Sequence, residues 1–128
     1  MLFRSICHKT RQQANEVADM RIIGDVTDKD VLLIDDIVDT AGTITKAADL
    51  MLKNGARSVR AIASHAVMSD PATERVDQST LKEMIFTDSI PYTKKSEKVT
   101  VLSVADMIAE AIRRVCKDES ISSLYTIK

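Results

Sequence analysis

Alternating blocks of apolar and polar residues divide the chain into strands and helices. The continuous apolar run Val31–Ile34 is rich in branched side chains and predicts a central parallel strand that is covered on both faces. Asn54-Gly55 is typical of the C-terminal end of a helix. The segment between them therefore predicts a helix, whose apolar face consists of Ile44, Ala47, Ala48, Met51 and Leu52.

The rest of the chain continues this alternation. Ser58–Ala63 predicts the next strand, and Asp70-Pro71 predicts the N-cap and first residue of a short helix that ends near Gln78. The remaining pattern predicts two strands, a last helix and an edge strand, at Glu83–Thr87, Val99–Leu102, 103–117 and Ile121–Ile127. Strands that alternate with helices indicate an α/β fold with an open, mostly parallel sheet flanked by helices.

The chain start follows a different pattern. The polar segment Ile6–Met20 predicts a mobile loop, and Asp19–Ile23 predicts a short strand that Gly24 ends. Neither segment fits the repeating strand and helix pattern of the remaining chain. The fold class therefore rests on the residues that follow Gly24.

Composition narrows the class of protein. A chain of 128 residues with 45% apolar and 29% charged residues suits one globular domain. A net charge of −1 and only 3% aromatic residues give no basic field or stacking surface, so we expect no nucleic-acid partner. Cys7 and Cys116 lack metal-ligand spacing and fit a reducing cytoplasm. No apolar run is long enough to span a membrane, so we expect no membrane partner.

The candidate chemistry lies where the predicted strand at Val31–Ile34 meets the helix after it. Asp35 and Asp36 follow the strand directly, and ligands of open α/β sheets bind at this edge. Two adjacent carboxylates can accept hydrogen bonds from the vicinal hydroxyls of a ribose, and they can hold Mg²⁺ through retained waters. We therefore expect a polyhydroxylated ligand and a magnesium site at Asp35 and Asp36.

The turn after these acids is suited to a phosphate. It offers backbone N–H groups, two hydroxyls and the positive end of a helix dipole, and Gly42 allows close approach. The acidic pair alone, or the turn alone, is explained equally well by an ordinary solvated turn with a helix cap. The two together are a more specific indication of a sugar-phosphate site. The predicted phosphate site consists of Asp39, Thr40, Ala41, Gly42 and Thr43.

The run VLLIDDIVDTAGTI resembles the phosphoribosyl-binding motif of the type I phosphoribosyltransferase fold. Within that fold the chain resembles the C-terminal part of the ribose-phosphate pyrophosphokinases, also called phosphoribosyl pyrophosphate synthetases. Residues 1–5 match nothing in the family, and we interpret them as the remains of a strand or as a sequence artefact. The other segments that carry the resemblance are Lys9-Thr10-Arg11, Asn15-Glu16-Val17, Ile22–Val26, Ser64–Ser69, Ala109–Arg114 and Glu119–Ser122.

The resemblance implies an activity and a set of roles. Family members transfer the diphosphate of ATP to the C1 hydroxyl of ribose 5-phosphate, which gives phosphoribosyl pyrophosphate and AMP, with Mg²⁺ as cofactor. Lys9 and Arg11 would then be catalytic residues on a loop that closes over the transferring groups. His65 is interpreted as a structural or interfacial residue. Asp35 and Asp36 would contact both the ribose hydroxyls and Mg²⁺, and Asp39–Thr43 would hold the 5-phosphate.

The resemblance covers about Ile6 to Ile127, and we interpret residues 1–128 as the family's C-terminal domain. The family's N-terminal domain carries most of the ATP-binding residues, and a neighbouring subunit completes the adenine site. We therefore expect a homo-oligomer for the full-length protein and no synthetase activity for this chain alone. Three other interpretations remain: a phosphoribosyltransferase that consumes phosphoribosyl pyrophosphate, a non-catalytic subunit associated with a synthetase, and a fragment with no function of its own.

Overall fold

The structure is a computed structural model that describes the backbone of residues 6–10 and 19–125 and the side chains of Met20 and residues 22–125. A two-stranded antiparallel ribbon comes first and a four-stranded parallel sheet follows. In chain order the elements are β1 (Ile6–Thr10), β2 (Asp19–Ile23), β3 (Asp30–Val38), α1 (Gly42–Lys53), β4 (Ser58–Ala66), α2 (Ala72–Gln78), β5 (Glu83–Thr87), β6 (Val99–Leu102), α3 (Ala105–Cys116) and a 3-10 turn (Ser122–Leu124).

The predicted fold class is confirmed. The parallel sheet has the order β3-β4-β5-β6, so strands that are adjacent in the sequence are also adjacent in the sheet. The predicted bounds of β5 and β6 are those observed, and β4 extends to Ala66 instead of ending at Ala63. Each of these strands is followed or preceded by a helix, as the alternating pattern predicted.

Helix α1 packs on one face of the sheet. Ile44, Ala47, Ala48 and Met51 are buried, as their spacing predicted, and Leu52 packs against them. The helix ends as expected, because Gly55 has a φ of 89° and its N–H donates to the carbonyl of Leu52 at 3.0 Å. Small side chains on β4 allow this close contact, and the core of the sheet face consists of Val59, Ala61, Ala63, Met84 and Phe86.

The opposite face of the sheet is open in the described part of the chain. Val31 and Leu33 pack on the core, whereas the alternate residues Leu32 and Ile34 are 52% and 79% exposed. The prediction of a central strand covered on both faces is therefore wrong for β3, which lies at the edge of the four-stranded sheet. A continuous apolar run predicts that both faces of a strand are buried. It does not show that the described residues of the same chain bury both of them.

Helix α3 also leaves its apolar face uncovered. The predicted helix is present at Ala105–Cys116, but it has no buried residue, and Ile108, Ile112 and Val115 are exposed. It is tied to the sheet at its start, where the Val104 N–H donates to the Asp88 carboxylate at 2.9 Å. None of the helices among the described residues is long and apolar enough to cross a membrane.

Three local predictions differ from the structure. Ile6–Thr10 is not a loop but a strand, in which Ile6 pairs with Ile23 across an antiparallel ribbon. Asp70 does not cap α2, because its carboxylate forms an ion pair with Lys94 and the helix begins at Ala72. The predicted strand at Ile121–Ile127 is instead a 3-10 turn over Ser122–Leu124, and its last two residues lie outside the described part.

The amino ends of the strands carry charges that the fold neutralises. Asp30 opens β3 and accepts hydrogen bonds from Ser58 Oγ at 2.6 Å and from Arg57 Nε at 3.2 Å. These partners, Arg57 first, lower the pKa of Asp30 to about 2. Nearby, the Thr27 N–H and the Lys29 ammonium hold the pKa of Asp25 at about 2 as well. At the amino edge of the sheet, Asp25 and Asp30 therefore form ion pairs and hydrogen bonds within the fold.

Candidate sugar-phosphate site

The predicted acidic pair lies inside strand β3 and not beyond its end. β3 is nine residues long, and Asp35 pairs with Ala63 of β4. The pairing continues to Val38 opposite Ala66, and the Val38 carbonyl then accepts the N–H of Met68 at 3.1 Å. Asp35 and Asp36 are thus fixed by a paired strand at the carboxyl edge of the sheet.

Asp35 and Asp36 present their carboxylates to solvent. Both residues are exposed, and the Asp36 N–H donates to Asp35 Oδ1 at 3.0 Å, which places that carboxylate beside the backbone of the next residue. No cation among the described side chains lies within 4.0 Å of Asp35, Asp36 or Asp39. Within the described part of the chain, the carboxylates of Asp35 and Asp36 are therefore not neutralised by a cation, and they can accept hydrogen bonds from a ligand.

Asp35 and Asp36 suit a magnesium ion that is bound jointly by the protein and a substrate, and not one that is enclosed by protein side chains alone. Among the described residues, no group of three or more His, Cys, Asp or Glu side chains could hold a metal ion. Mg²⁺ typically keeps several waters and takes one or two carboxylates together with phosphate oxygens of a substrate. Two exposed carboxylates at one edge agree with that preference, so Asp35 and Asp36 would hold the ion together with a ligand.

The turn between β3 and α1 is held by an unusual backbone conformation. Ala41 has φ 59° and ψ 1°, the left-handed region that alanine rarely adopts, and its side chain is only 4% exposed. Its carbonyl accepts two hydrogen bonds from Thr45, from the N–H at 3.1 Å and from Oγ1 at 2.9 Å. The left-handed residue of this turn is therefore Ala41, and Gly42 begins the helix.

The first turn of α1 has two features of an anion site. Ala41 gives no side-chain cap, and the first turn contains no acidic residue. A helix start without a capping side chain keeps backbone N–H groups and the positive dipole end for a ligand. Among the described residues, a Cβ at Gly42 would lie 3.7 Å from Arg75 Nη1 and 3.9 Å from Thr40 Oγ1, which are ordinary contacts with side-chain atoms.

Arg75 is a residue of this site that sequence reasoning missed. It lies on α2, and its Nη1 donates to the carbonyl of Thr40 at 2.9 Å, 35 residues away in the sequence. The predicted order of strands and helices could have indicated it. Because α2 follows β4, the parallel neighbour of β3, α2 starts at the same edge of the sheet as the turn after β3. Arg75 brings a cation to a turn that has none of its own.

His65 lies on the strand next to the acidic pair. It pairs with Ile37, and its Nδ1 is 2.8 Å from Ser89 Oγ. Ser89 Oγ also donates to the carbonyl of Ser64 at 2.9 Å, and Thr87 Oγ1 donates to the same carbonyl at 2.6 Å. These hydrogen bonds join the carboxyl ends of β4 and β5, which is compatible with the structural role predicted for His65.

The structure places the predicted catalytic residues only in part. The backbone of Lys9 lies in β1, where it pairs with Met20, and its side chain is outside the described set. Arg11 lies outside the described residues. The ribbon itself is next to α1, because β2 contacts that helix and Ile22 packs on the core. The roles of Lys9 and Arg11 therefore stay predictions.

A parallel sheet with an acidic strand, a phosphate-type turn and a following helix defines a phosphoribosyltransferase-like α/β domain. A solved structure, phosphoribosylpyrophosphate synthetase from Mycobacterium smegmatis, matches this chain with a TM-score of 0.75 and 39% identity. The match covers 78% of this chain and 34% of that one. A structure at this identity supports both the fold and the relationship.

Sequence comparisons agree with the structural match. The family model described as the phosphoribosyl synthetase-associated domain matches residues 5–126. Two similar curated proteins are named ribose-phosphate pyrophosphokinase: one from Porphyromonas gingivalis, 80% identical over 120 residues, and one from Helicobacter hepaticus, 52% identical over 120 residues. Each match covers 94% of this chain, and the chain spans 38% and 39% of these relatives' lengths. The chain belongs to the phosphoribosyl synthetase-associated family, among the relatives of the ribose-phosphate pyrophosphokinases.

Proposed function

We propose that this chain carries the ribose 5-phosphate site of a ribose-phosphate diphosphokinase. The observation that supports it best is the edge of the sheet where Asp35 and Asp36, which have no cation partner among the described side chains, meet the start of α1, which Ala41 does not cap with a side chain. One end of that edge offers acceptors for sugar hydroxyls, and the other offers donors for a phosphate. Ribose 5-phosphate has both groups in one small molecule.

The roles follow from the chemistry of each group. Asp35 and Asp36 accept hydrogen bonds from the ribose hydroxyls, and the 5-phosphate binds to Asp39, Thr40, Ala41, Gly42 and Thr43 through the turn's N–H and hydroxyl groups. Bound Mg²⁺, held by Asp35 and Asp36, supplies positive charge against phosphate oxygens. Lys9 and Arg11 then stabilise the charge that develops as the diphosphate moves from ATP to the C1 hydroxyl.

The complete reaction requires more than this chain. The relatives in which the reaction is named are more than twice as long, so we propose ATP binding and homo-oligomer formation for the longer protein. We propose a cytoplasmic location, since the spacing of Cys7 and Cys116 fits a reducing compartment. We expect the isolated chain to form no AMP from ATP and ribose 5-phosphate, and rapid AMP release by purified material would contradict this.

Titration with ribose 5-phosphate tests the site directly. We expect saturable binding in the presence of Mg²⁺ by isothermal titration calorimetry, with amide shifts in NMR spectra confined to residues 35–45 and their neighbours. Asp35→Ala should remove most of the affinity, because it deletes an acceptor for the sugar. Equal affinity of Asp35→Ala and the unchanged chain would refute the site assignment.

An assay of pyrophosphate release tests the phosphoribosyltransferase alternative. A phosphoribosyltransferase should bind phosphoribosyl pyrophosphate and release pyrophosphate when a nucleobase is added. We expect no base-dependent release of pyrophosphate, since the similar curated proteins are named ribose-phosphate pyrophosphokinase. Pyrophosphate release with any of the common bases would favour that class over the diphosphokinase.

A further inference from the structure

The phosphate turn lacks a cation in its own sequence. Asp35 and Asp36 precede the turn, Asp39 is its first residue, and residues 35–45 contain no Lys or Arg. A ribose 5-phosphate would add a phosphate dianion to this acidic segment. Helix dipoles and N–H groups favour an anion, but they do not neutralise several like charges at close range. A positive side chain that reaches the turn from elsewhere in the fold would therefore strengthen binding of the phosphate.

Among the described side chains, Arg75 is a cation that contacts the turn. Its Nη1 donates to the Thr40 carbonyl at 2.9 Å and lies 3.7 Å from the position that a Cβ on Gly42 would occupy. The guanidinium is therefore close to Gly42, the first residue of α1, on the side where a larger residue would carry its side chain. One hydrogen bond to Thr40 leaves further N–H groups of the fork available to an anion.

Arg75 differs from the other arginines of the described part of the chain. Arg57 pairs with Asp30, Arg60 with Glu83, and Arg113 and Arg114 with Glu110. Within the same set of side chains Arg75 forms no ion pair with a carboxylate, and its partner is a neutral carbonyl. An arginine held in place by a carbonyl keeps its charge for a second partner.

We propose that Arg75 is a binding and positioning residue for the 5-phosphate, the cation of the turn Asp39–Thr43. It anchors the turn through Thr40 and offers its remaining N–H groups to the phosphate oxygens. This inference rests on the proposed ribose 5-phosphate site and adds to it the residue that makes the site selective for a phosphorylated sugar. It predicts preference for the phosphate dianion over the monoanion.

The test compares Arg75→Gln, Arg75→Lys and the control Lys53→Gln by calorimetric titration of ribose 5-phosphate with Mg²⁺. Lys53→Gln removes the same charge at the other end of α1. We expect Arg75→Gln to weaken binding about 10- to 100-fold, Arg75→Lys to recover part of the loss, and Lys53→Gln to stay within about twofold. Equal affinity of Arg75→Gln and the unchanged chain would overturn the inference.

A second measurement separates phosphate binding from a purely structural role. The pKa of bound ribose 5-phosphate can be followed by ³¹P NMR, and a neighbouring guanidinium lowers the second pKa of a phosphate, near 6. We expect that pKa to be higher in Arg75→Gln than in the unchanged chain, while both give similar amide spectra away from the turn. If the unchanged chain binds no ribose 5-phosphate, the proposed function fails. If it binds but its ³¹P pKa is unaffected by Arg75→Gln, only the role of Arg75 fails.

Discussion

The two ends of strand β3 carry the same side chain in opposite electrostatic settings. At the amino end, Asp30 is held by Arg57 and Ser58, and its pKa is about 2. At the carboxyl end, Asp35 and Asp36 have no cation partner among the described side chains. A carboxylate that the fold neutralises contributes to stability, whereas one that the fold leaves unpaired is available to a ligand. Position along the strand thus separates structural acids from candidate functional ones.

The largest expected effect sets Asp35→Asn against Asp30→Asn. Each change removes one negative charge from β3 and keeps the side-chain shape. We expect Asp35→Asn to weaken ribose 5-phosphate binding in Mg²⁺ by about 10- to 100-fold, since a hydrogen bond to a charged group contributes about 1.5–3 kcal/mol. Asp30→Asn should keep the affinity within about twofold. Calorimetric titration measures both, and a similar loss in the two variants would contradict the comparison.

A smaller effect is expected from the two glycines at the ends of α1. A methyl group on Gly42 would lie 3.7 Å from Arg75 Nη1, an ordinary contact, so Gly42→Ala should change the free energy of unfolding by no more than about 1 kcal/mol. The same methyl would cover the helix start that a phosphate approaches. We therefore expect ribose 5-phosphate affinity to fall about tenfold.

Gly55→Ala is the matched control. Gly55 has a φ of 89°, so an alanine there is strained, and we expect a loss of about 1–2 kcal/mol in the free energy of unfolding. The affinity of the folded chain for ribose 5-phosphate should not change. Urea unfolding and titration together measure both quantities. If Gly55→Ala lost affinity and Gly42→Ala lost stability, we would be wrong to assign stability to the amino edge of the sheet and ligand binding to the carboxyl edge.

The smallest expected effect concerns acid stability at the amino edge. Asp30 has a folded pKa of about 2, below its ordinary value of 3.8, so its ion pair stabilises the fold above pH 3.8. That contribution is lost as the pH falls from about 4 towards 2. We expect Asp30→Asn to remove part of the decline in melting temperature over this window, and Arg57→Gln, which breaks the same pair, to act in the same direction. Thermal melts between pH 7 and pH 2.5 provide the measurement, and an unchanged decline in both variants would contradict the prediction.

Local patterns predicted much of the fold. The apolar spacing of Ile44, Ala48 and Met51 identified the packed face of α1, because a helix repeats its faces within a few residues. The bounds of β5 and β6 were also predicted correctly. Whether a face is covered depends on other segments. Ile34, in a strand predicted to be covered on both faces, is therefore exposed, and the apolar face of α3 is exposed as well.

The site was predictable to the extent that it is contiguous in the sequence. The residues of β3 and the turn to α1 stand together in one run, so their chemistry could be inferred from residue types. Arg75 reaches the turn from 35 residues away, and no local pattern indicates that contact. The tail was misinterpreted for a similar reason: Arg114 donates to the Ser120 carbonyl at 3.0 Å and holds the segment before the 3-10 turn against α3. Hydrogen bonds between a side chain and a backbone carbonyl of another segment become visible only in three dimensions.

The open face of the sheet has a calorimetric consequence. Leu32 and Ile34 already contact water in the folded chain, so unfolding exposes less new apolar surface than in a domain whose sheet is covered on both sides. The heat capacity change of unfolding scales with that surface. We expect scanning calorimetry to give a value below the usual range of about 12–15 cal/mol/K per residue. The free energy of unfolding should accordingly vary little with temperature, giving a flatter stability curve with a less pronounced maximum.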